Sequence, residues 1–266
     1  MRTFVMGDIH GAHKALLQCL ERAGFDTDHD QLIQLGDIVD GYPQVYECFE
    51  TLLSIRNKIL IRGNHDDWFQ SFFETGYHPA QWQYGGKGTV ISYLKHAGKP
   101  AQLSAAGQGF KPALSPSDIP HSHRQLIESQ KPYYIDSAAR CFVHGGFDRH
   151  VPFALQKPDV FYWDRRLFED ALQRAGYYEG GAIPEGFYTD TPFSEIYIGH
   201  SPTIRWEQDD PITALNITNL DTGAGHKGRL TIMELPSTTK PGTSAAGNNQ
   251  FWQSDPLPQL YTYTSR

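Results

Sequence analysis

Before residue 76 the chain passes three times from a short apolar stretch, through a glycine turn bearing Asp, Asn or His, into apolar residues at helical spacing. Thr3 to Met6 leads into Gly7-Asp8-Ile9-His10-Gly11, and Leu16, Leu17, Leu20 and Ala23 then recur with helical period until Gly24. Gln31 to Leu35 leads into Gly36-Asp37-Ile38-Val39-Asp40-Gly41 and a helix entered through Pro43, with Val45, Phe49, Leu52 and Leu53 inward. Lys58 to Ile61 leads into Gly63-Asn64-His65-Asp66, with Trp68, Phe69, Phe72 and Phe73 following. Repeated strand–loop–helix units imply parallel strands, with polar groups gathered at the carboxyl ends where open α/β sheets place their sites.

The residue types in these turns fit hydrolysis of a phosphate ester. Such a reaction brings an oxygen nucleophile to an anionic phosphorus and releases a poor alkoxide. Two cations about 4 Å apart serve both steps by activating water near neutral pH and neutralising phosphoryl charge. A carboxylate must bridge them: Asp8, His10 and Asp37 can supply one ion, and Asp37, Asn64 and two later histidines the other. A mixed oxygen and nitrogen set without thiolate suits two divalent ions such as Mn, Fe, Zn or Mg.

Residues 76–132 change character, to Gly, Pro, Ser and Gln with scattered aromatics, and read as an insertion or cap over the site. Within them Gly85-Gly86-Lys87-Gly88 lacks the other residues of a phosphate loop and is expected to be a flexible loop. Further on, Tyr133 to Asp136 and Ala139 to Val143 predict a hairpin around Ser137. Glu195 to Ile198, Thr213 to Leu220 and Arg229 to Met233 predict single strands. A second sheet packed on the first would give an α/β/β/α sandwich. Residues 236–266, rich in Pro, Ser, Thr and Gly, read as a tail whose Phe251, Trp252, Tyr261 and Tyr263 dock part of it. Cys19, Cys48 and Cys141 are scattered among apolar residues and are expected as buried small hydrophobes. His13, His29, His78, His96, His121, His123 and His150 lack motif context and are expected to be exposed or in ordinary hydrogen bonds.

In order, Gly-Asp-Ile-His-Gly, Gly-Asp-Ile-Val-Asp-Gly, Arg-Gly-Asn-His-Asp, His144-Gly145-Gly146 and Gly199-His200 resemble the calcineurin-like metallophosphoesterases, most closely the bacterial and phage serine/threonine phosphoprotein phosphatases. The resemblance covers about residues 1–235, the expected catalytic domain, and implies the four-layer α/β/β/α fold with mixed sheets. It makes Asp8 and His10 ligands of a first metal, Asp37 the bridge, and Asn64, His144 and His200 ligands of the second. A metal-bridging hydroxide would be the nucleophile, His65 the general acid and Asp40 the group that orients it. Arg165, in Trp163-Asp164-Arg165-Arg166, would grip phosphate, and Arg62 would contact substrate or form an ion pair behind the site. The sequence departs from the family at Gly41, where the phosphoprotein phosphatases carry a phosphate-gripping arginine. His226, in a late glycine-rich turn, would lie near the site or serve that turn alone.

These readings give a metal-dependent phosphomonoesterase acting on a phosphorylated protein or a small phosphoester. A nucleotide phosphodiesterase or dinucleoside polyphosphate hydrolase is the alternative, and a non-catalytic scaffold is a remote one. The formal charge of −7 argues against constitutive nucleic acid binding. No apolar run is long enough to span a bilayer and no targeting segment is evident, so no membrane partner and a cytoplasmic location are expected.

Overall fold

Alternate residues along the strands serve different layers. In β1 (Thr3–Met6), Phe4 and Met6 join the core beneath the first helices, whereas Val5 faces a second sheet. In β7 (Arg140–Val143), Cys141 and Val143 face helices on the far side, and Phe142 meets Val5, Ile33 and Tyr197 in the seam. This two-residue period lets every central strand be buried on both faces. The result is the expected α/β/β/α arrangement with mixed sheets.

The computed structural model describes residues 1–77, 82, 84–101, 103–106, 109–176, 191–236 and 250–261; His78 and Tyr263 lie outside them. The first sheet has the order β12 (Phe251–Gln253), β11 (Thr231–Leu235), β1, β2 (Gln31–Gln34), β3 (Asn57–Leu60). Strands β1, β2 and β3 are parallel. The helices α1 (His13–Arg22), α2 (Val45–Ser54) and α3 (Asn64–Thr75) follow them in turn. After α4 (Gly86–His96) come the small hairpin β4 (Leu103–Ala106) and β5 (Gly109–Pro112), and then α5 (His121–Glu128).

The second sheet is β6 (Tyr133–Ile135), β7, β8 (Glu195–Ile198), β10 (Ile217–Asn219), β9 (Ile212–Ala214), with the expected hairpin of β6 and β7. Helices α6 (Pro158–Trp163) and α7 (Arg166–Arg174) precede β8, which lies parallel to β7. The single strand expected over Thr213 to Leu220 is instead two antiparallel strands, β9 and β10. Leu215 between them takes a left-handed φ of 57°, which turns the chain where the apolar pattern runs straight on. The strand β11 runs antiparallel to β1.

The described part of the tail docks. β12 adds to β11, Trp252 packs near Phe4, and the Lys14 amide donates to the Tyr261 hydroxyl beyond α8 (Leu257–Leu260). All three cysteines are free and buried. No helix among the described residues is long and apolar enough to cross a membrane.

The Gly85–Gly88 segment is not the expected flexible loop. It is the start of α4, whose Val90, Tyr93 and Leu94 are buried in the core shared with α2 and α3. Burial of that apolar face overrides the helix cost of the glycines.

Candidate metal centre

The ligand candidates follow the carboxyl ends of strands, and three of them, together with Asp40, sit on a left-handed backbone. His10, Asp37, Asp40 and His200 have φ of 49°, 54°, 71° and 65°, a left-handed conformation that is costly for residues with a Cβ and tends to collect at functional sites. The loops are tied to one another. The amides of Ile9 and His10 donate to the Asp37 carbonyl, and the buried Asp66 carboxylate accepts from the amides of Asp37, Ile38 and Gly63. Asp66 thereby clamps the second and third turns together.

The side chains converge between the sheets. The donor atoms of Asp37, His144 and His200 lie within 4.8 Å of one another, as do those of His10, Asp37 and His65. Asp8 lies alongside, with an oxygen 3.8 Å from His10 Nε2, and accepts from the His200 amide. Asn64 Oδ1 is 3.1 Å from His144 Nε2. Backbone carbonyls fix two rings: His10 Nδ1 donates to Val39 O and His144 Nδ1 to Leu35 O, so each Nε2 faces the cluster.

The electrostatics fit cations. Burial, then Asp221 and Asp37, push Asp8 well above the usual carboxylate range, and burial raises Asp66 and Asp221 to about 6. Burial lowers His10 to about 3 and holds His200 well below its ordinary value, so both are neutral donors. Most telling, His200 Nε2 is buried with no hydrogen-bond partner. An orphaned imidazole nitrogen among crowded carboxylates is what a divalent cation would satisfy.

His65 sits at the edge of this cluster. Its Nδ1 is 2.6 Å from Asp40 Oδ2, and its Nε2 lies 4.0 Å from Asp37. Burial opposes its charge, but Asp37 and the Asp40 hydrogen bond outweigh burial and raise it to about 9. Asp40 is itself held by the Trp82 indole at 2.8 Å and the Thr89 hydroxyl at 2.6 Å.

A cavity of 540 Å³ opens over the cluster, lined by His10, Asp37, Asn64, His65, Arg165 and His200 and extending past Tyr84, Lys87 and Ile91. Arg165 Nη1 donates to His200 O and Ser201 Oγ. Arg62 is not brought into the cavity lining: it donates to Ile127 O and lies 3.6 Å from Asp67. His226 does line it, beside Gly225, which abuts the His10 ring.

Sequence reading did not single out Asp66, Asp221, Trp82, Thr89 or Lys87 for the site. Asp66 had a signal in hindsight, three residues after the Gly63 cap, where a carboxylate can reach back to a helix start. Asp221 stood in the glycine-rich turn of His226 and Lys87 in the run read as a flexible loop, whereas Trp82 and Thr89 had no signal.

The α/β/β/α sandwich, with this donor set at its strand ends, is the architecture of a phosphoesterase family. The chain belongs to the calcineurin-like phosphoesterase family, whose model matches residues 1–160. Over 67 residues it is 34% identical to a symmetrical bis(5'-nucleosyl)-tetraphosphatase of Nitrosomonas europaea, covering 25% of each protein. The chain thus spans about a quarter of that curated relative. Among solved structures it is similar to a metallophosphoesterase from Sphaerobacter thermophilus (TM-score 0.54, 17% identity, 96% and 89% of the two chains covered). It is also similar to a protein serine/threonine phosphatase from Saccharomyces cerevisiae (TM-score 0.53, 14% identity, 96% and 80% covered). At these identities the likeness is one of fold.

Proposed function

We propose that residues 1–235, capped by 76–132, form a phosphomonoesterase of the serine/threonine protein phosphatase type, acting on a phosphorylated protein or a small phosphoester. The observation that carries this reading is the 2.6 Å contact between His65 and Asp40. An alkoxide leaves phosphorus readily only if a proton reaches it, whereas the phosphate leaving group of an anhydride needs little help. An imidazolium whose remaining N–H faces the cavity serves the first kind of substrate.

Two divalent ions, proposed as Mn, would be held by Asp8, His10, Asp37, Asn64, His144 and His200 and would supply water activation and charge neutralisation. Asp37 belongs to both groups of donor atoms, which supports reading it as the bridge. Arg165, steadied through one nitrogen by His200 O and Ser201, keeps its other donors for phosphoryl oxygens. His65 Nε2 delivers the proton to the departing oxygen, and Asp40 holds Nδ1 and the charged form.

A dinucleoside polyphosphate hydrolase is the second reading. The 540 Å³ cavity, of a size that takes nucleotide-like ligands, and the activity named for the tetraphosphatase relative favour it.

The test is His65→Ala in the Mn-loaded protein, assayed on a phosphoserine peptide, an aryl phosphate and diadenosine tetraphosphate. The expected loss is roughly 10²–10⁴-fold on the peptide and much less on the aryl ester, which has a good leaving group. In the native enzyme, kcat/KM should fall as pH rises toward 9, because the proton is then lost from His65. A cation beside Asp37 weakens the pull on that proton and moves this limb lower. Equal loss on both esters overturns the acid role, and wild-type preference for the dinucleotide moves the assignment to the second reading.

A further inference from the structure

The cavity continues beyond what one phosphoryl group fills, and its far wall is the first turn of α4. Tyr84, Gly85, Lys87, Gly88 and Ile91 line it there. That turn is seated firmly: the Gly41 amide donates to Gly85 O at 3.0 Å, and a Cβ on Gly88 would run into the Gly41 carbonyl. Gly41 in turn abuts His10, since a Cβ on it would sit 3.0 Å from the His10 carbonyl. The backbone that carries Lys87 is therefore seated at the His10 end of the ligand cluster, and Arg165 is bonded to the His200 carbonyl.

These two are the lysine and arginine side chains of the lining, and they differ in commitment. Arg165 is engaged with His200 and Ser201 and lies beside the reacting centre. Lys87 is exposed and, among the described residues, makes no hydrogen bond or ion pair. In a chain of net charge −7, it is an unneutralised cation at the mouth of a cavity built for anions. A lysine ammonium is a compact point charge suited to phosphate, and the positive end of α4 adds to its field. Tyr84 beside it, 66% exposed, offers a ring for whatever carries the anion.

We propose that Lys87 forms a second anion subsite, which takes a further phosphoryl group of the substrate on the side away from Arg165. This deepens the phosphoesterase reading, on which it rests, by naming the substrate class: molecules with a phosphoryl group next to the one removed. Such a group comes from a polyphosphate chain or from a bisphosphorylated monoester.

The experiment is calorimetric binding of inorganic phosphate and of pyrophosphate to the Mn-loaded protein, for the wild type, Lys87→Ala and Lys87→Arg. Lys87→Ala should weaken pyrophosphate about tenfold more than phosphate, as expected for losing a charge-assisted contact, and Lys87→Arg should keep most of the wild-type preference. Equal weakening of both anions, or of neither, overturns the subsite. Turnover of an aryl phosphate, adenosine 3′,5′-bisphosphate and diadenosine tetraphosphate is measured in parallel. Lys87-dependent pyrophosphate binding without turnover of any of the three removes the phosphoesterase reading and leaves the subsite. Turnover with Lys87-independent binding removes the subsite alone. A Lys87 effect on kcat/KM confined to the bisphosphate or to the tetraphosphate identifies which source the subsite serves.

Discussion

The floor of the cavity and its α4 wall are built on different plans. The floor is three turns at strand ends, stitched by Asp66 and by amides donating to Asp37 O, each turn carrying its ligands within a few residues. The wall presents Lys87 to the cavity, with Thr89 and the preceding Trp82 bonded to Asp40 behind it, and is held in place by glycine contacts with Gly41 and by burial of Val90, Tyr93 and Leu94. On the proposed reading, reaction chemistry belongs to the floor, and aim and selectivity to the wall. A site can thus keep one and vary the other.

The largest effect that would break this division belongs to the floor. Asp37→Asn removes the negative charge of the proposed bridging position, so kcat should fall on the order of 10³-fold and bound metal drop below two ions per chain. Mass-spectrometric metal content and kcat on an aryl phosphate check this. Retained stoichiometry with retained rate would show that Asp37 is not shared between the ions.

A smaller effect should come from the wall without disturbing the metals. Trp82→Phe keeps the packing against Phe72 but deletes the 2.8 Å bond to Asp40, and Thr89→Val deletes the 2.6 Å one. Either should slow hydrolysis of a phosphoserine peptide roughly tenfold, in the range of losses seen when a supporting hydrogen bond is removed. An aryl phosphate should be slowed less, and metal content should stay at wild-type level. A merely structural role would lower both activities together.

The two plans also explain what the sequence disclosed. Metal ligation needs Asp and His within a few residues of a tight turn, so Asp8, His10, Asp37, Asn64 and His65 stand together in the chain and could be read as a set. His144 and His200 were legible only through their order after those turns. Trp82, Thr89 and Lys87 act across the fold, forty-odd positions from Asp40 or Gly41, and nothing local marks a tryptophan that will hydrogen-bond a distant carboxylate. The Gly-Gly-Lys-Gly run misled for a related reason: its glycines are required by the closeness of Gly41 and Trp82, which is tertiary information. The strand patterns were readable as short apolar runs, because the central strands are buried on both faces. The break at Leu215 was not, because a positive φ at a leucine leaves no trace in composition.

The smallest predicted effect concerns how the wall is anchored. His123, fully buried, links α5 to α4 and α2, with Nδ1 2.9 Å from the Tyr93 hydroxyl and Nε2 2.7 Å from Glu50. Accepting from Tyr93 and donating to Glu50 requires the neutral ring. Burial lowers its pKa below the ordinary 6.5 despite the opposing pull of Glu50. Because the folded value lies below the unfolded one, the unfolded ring takes up the proton first as pH falls through 6.5. The contribution of His123 is therefore complete above that pH and is lost progressively below it, until the folded value is passed. Amide exchange, corrected for its intrinsic pH dependence, should show α4 protection falling relative to β1 between pH 7 and 5. His123→Gln, which does not titrate, should abolish that relative change. If α4 and β1 lose protection in parallel in the native protein, the wall has no stability separable from the floor, and the division drawn between them fails at the level of energetics even if it holds for catalysis.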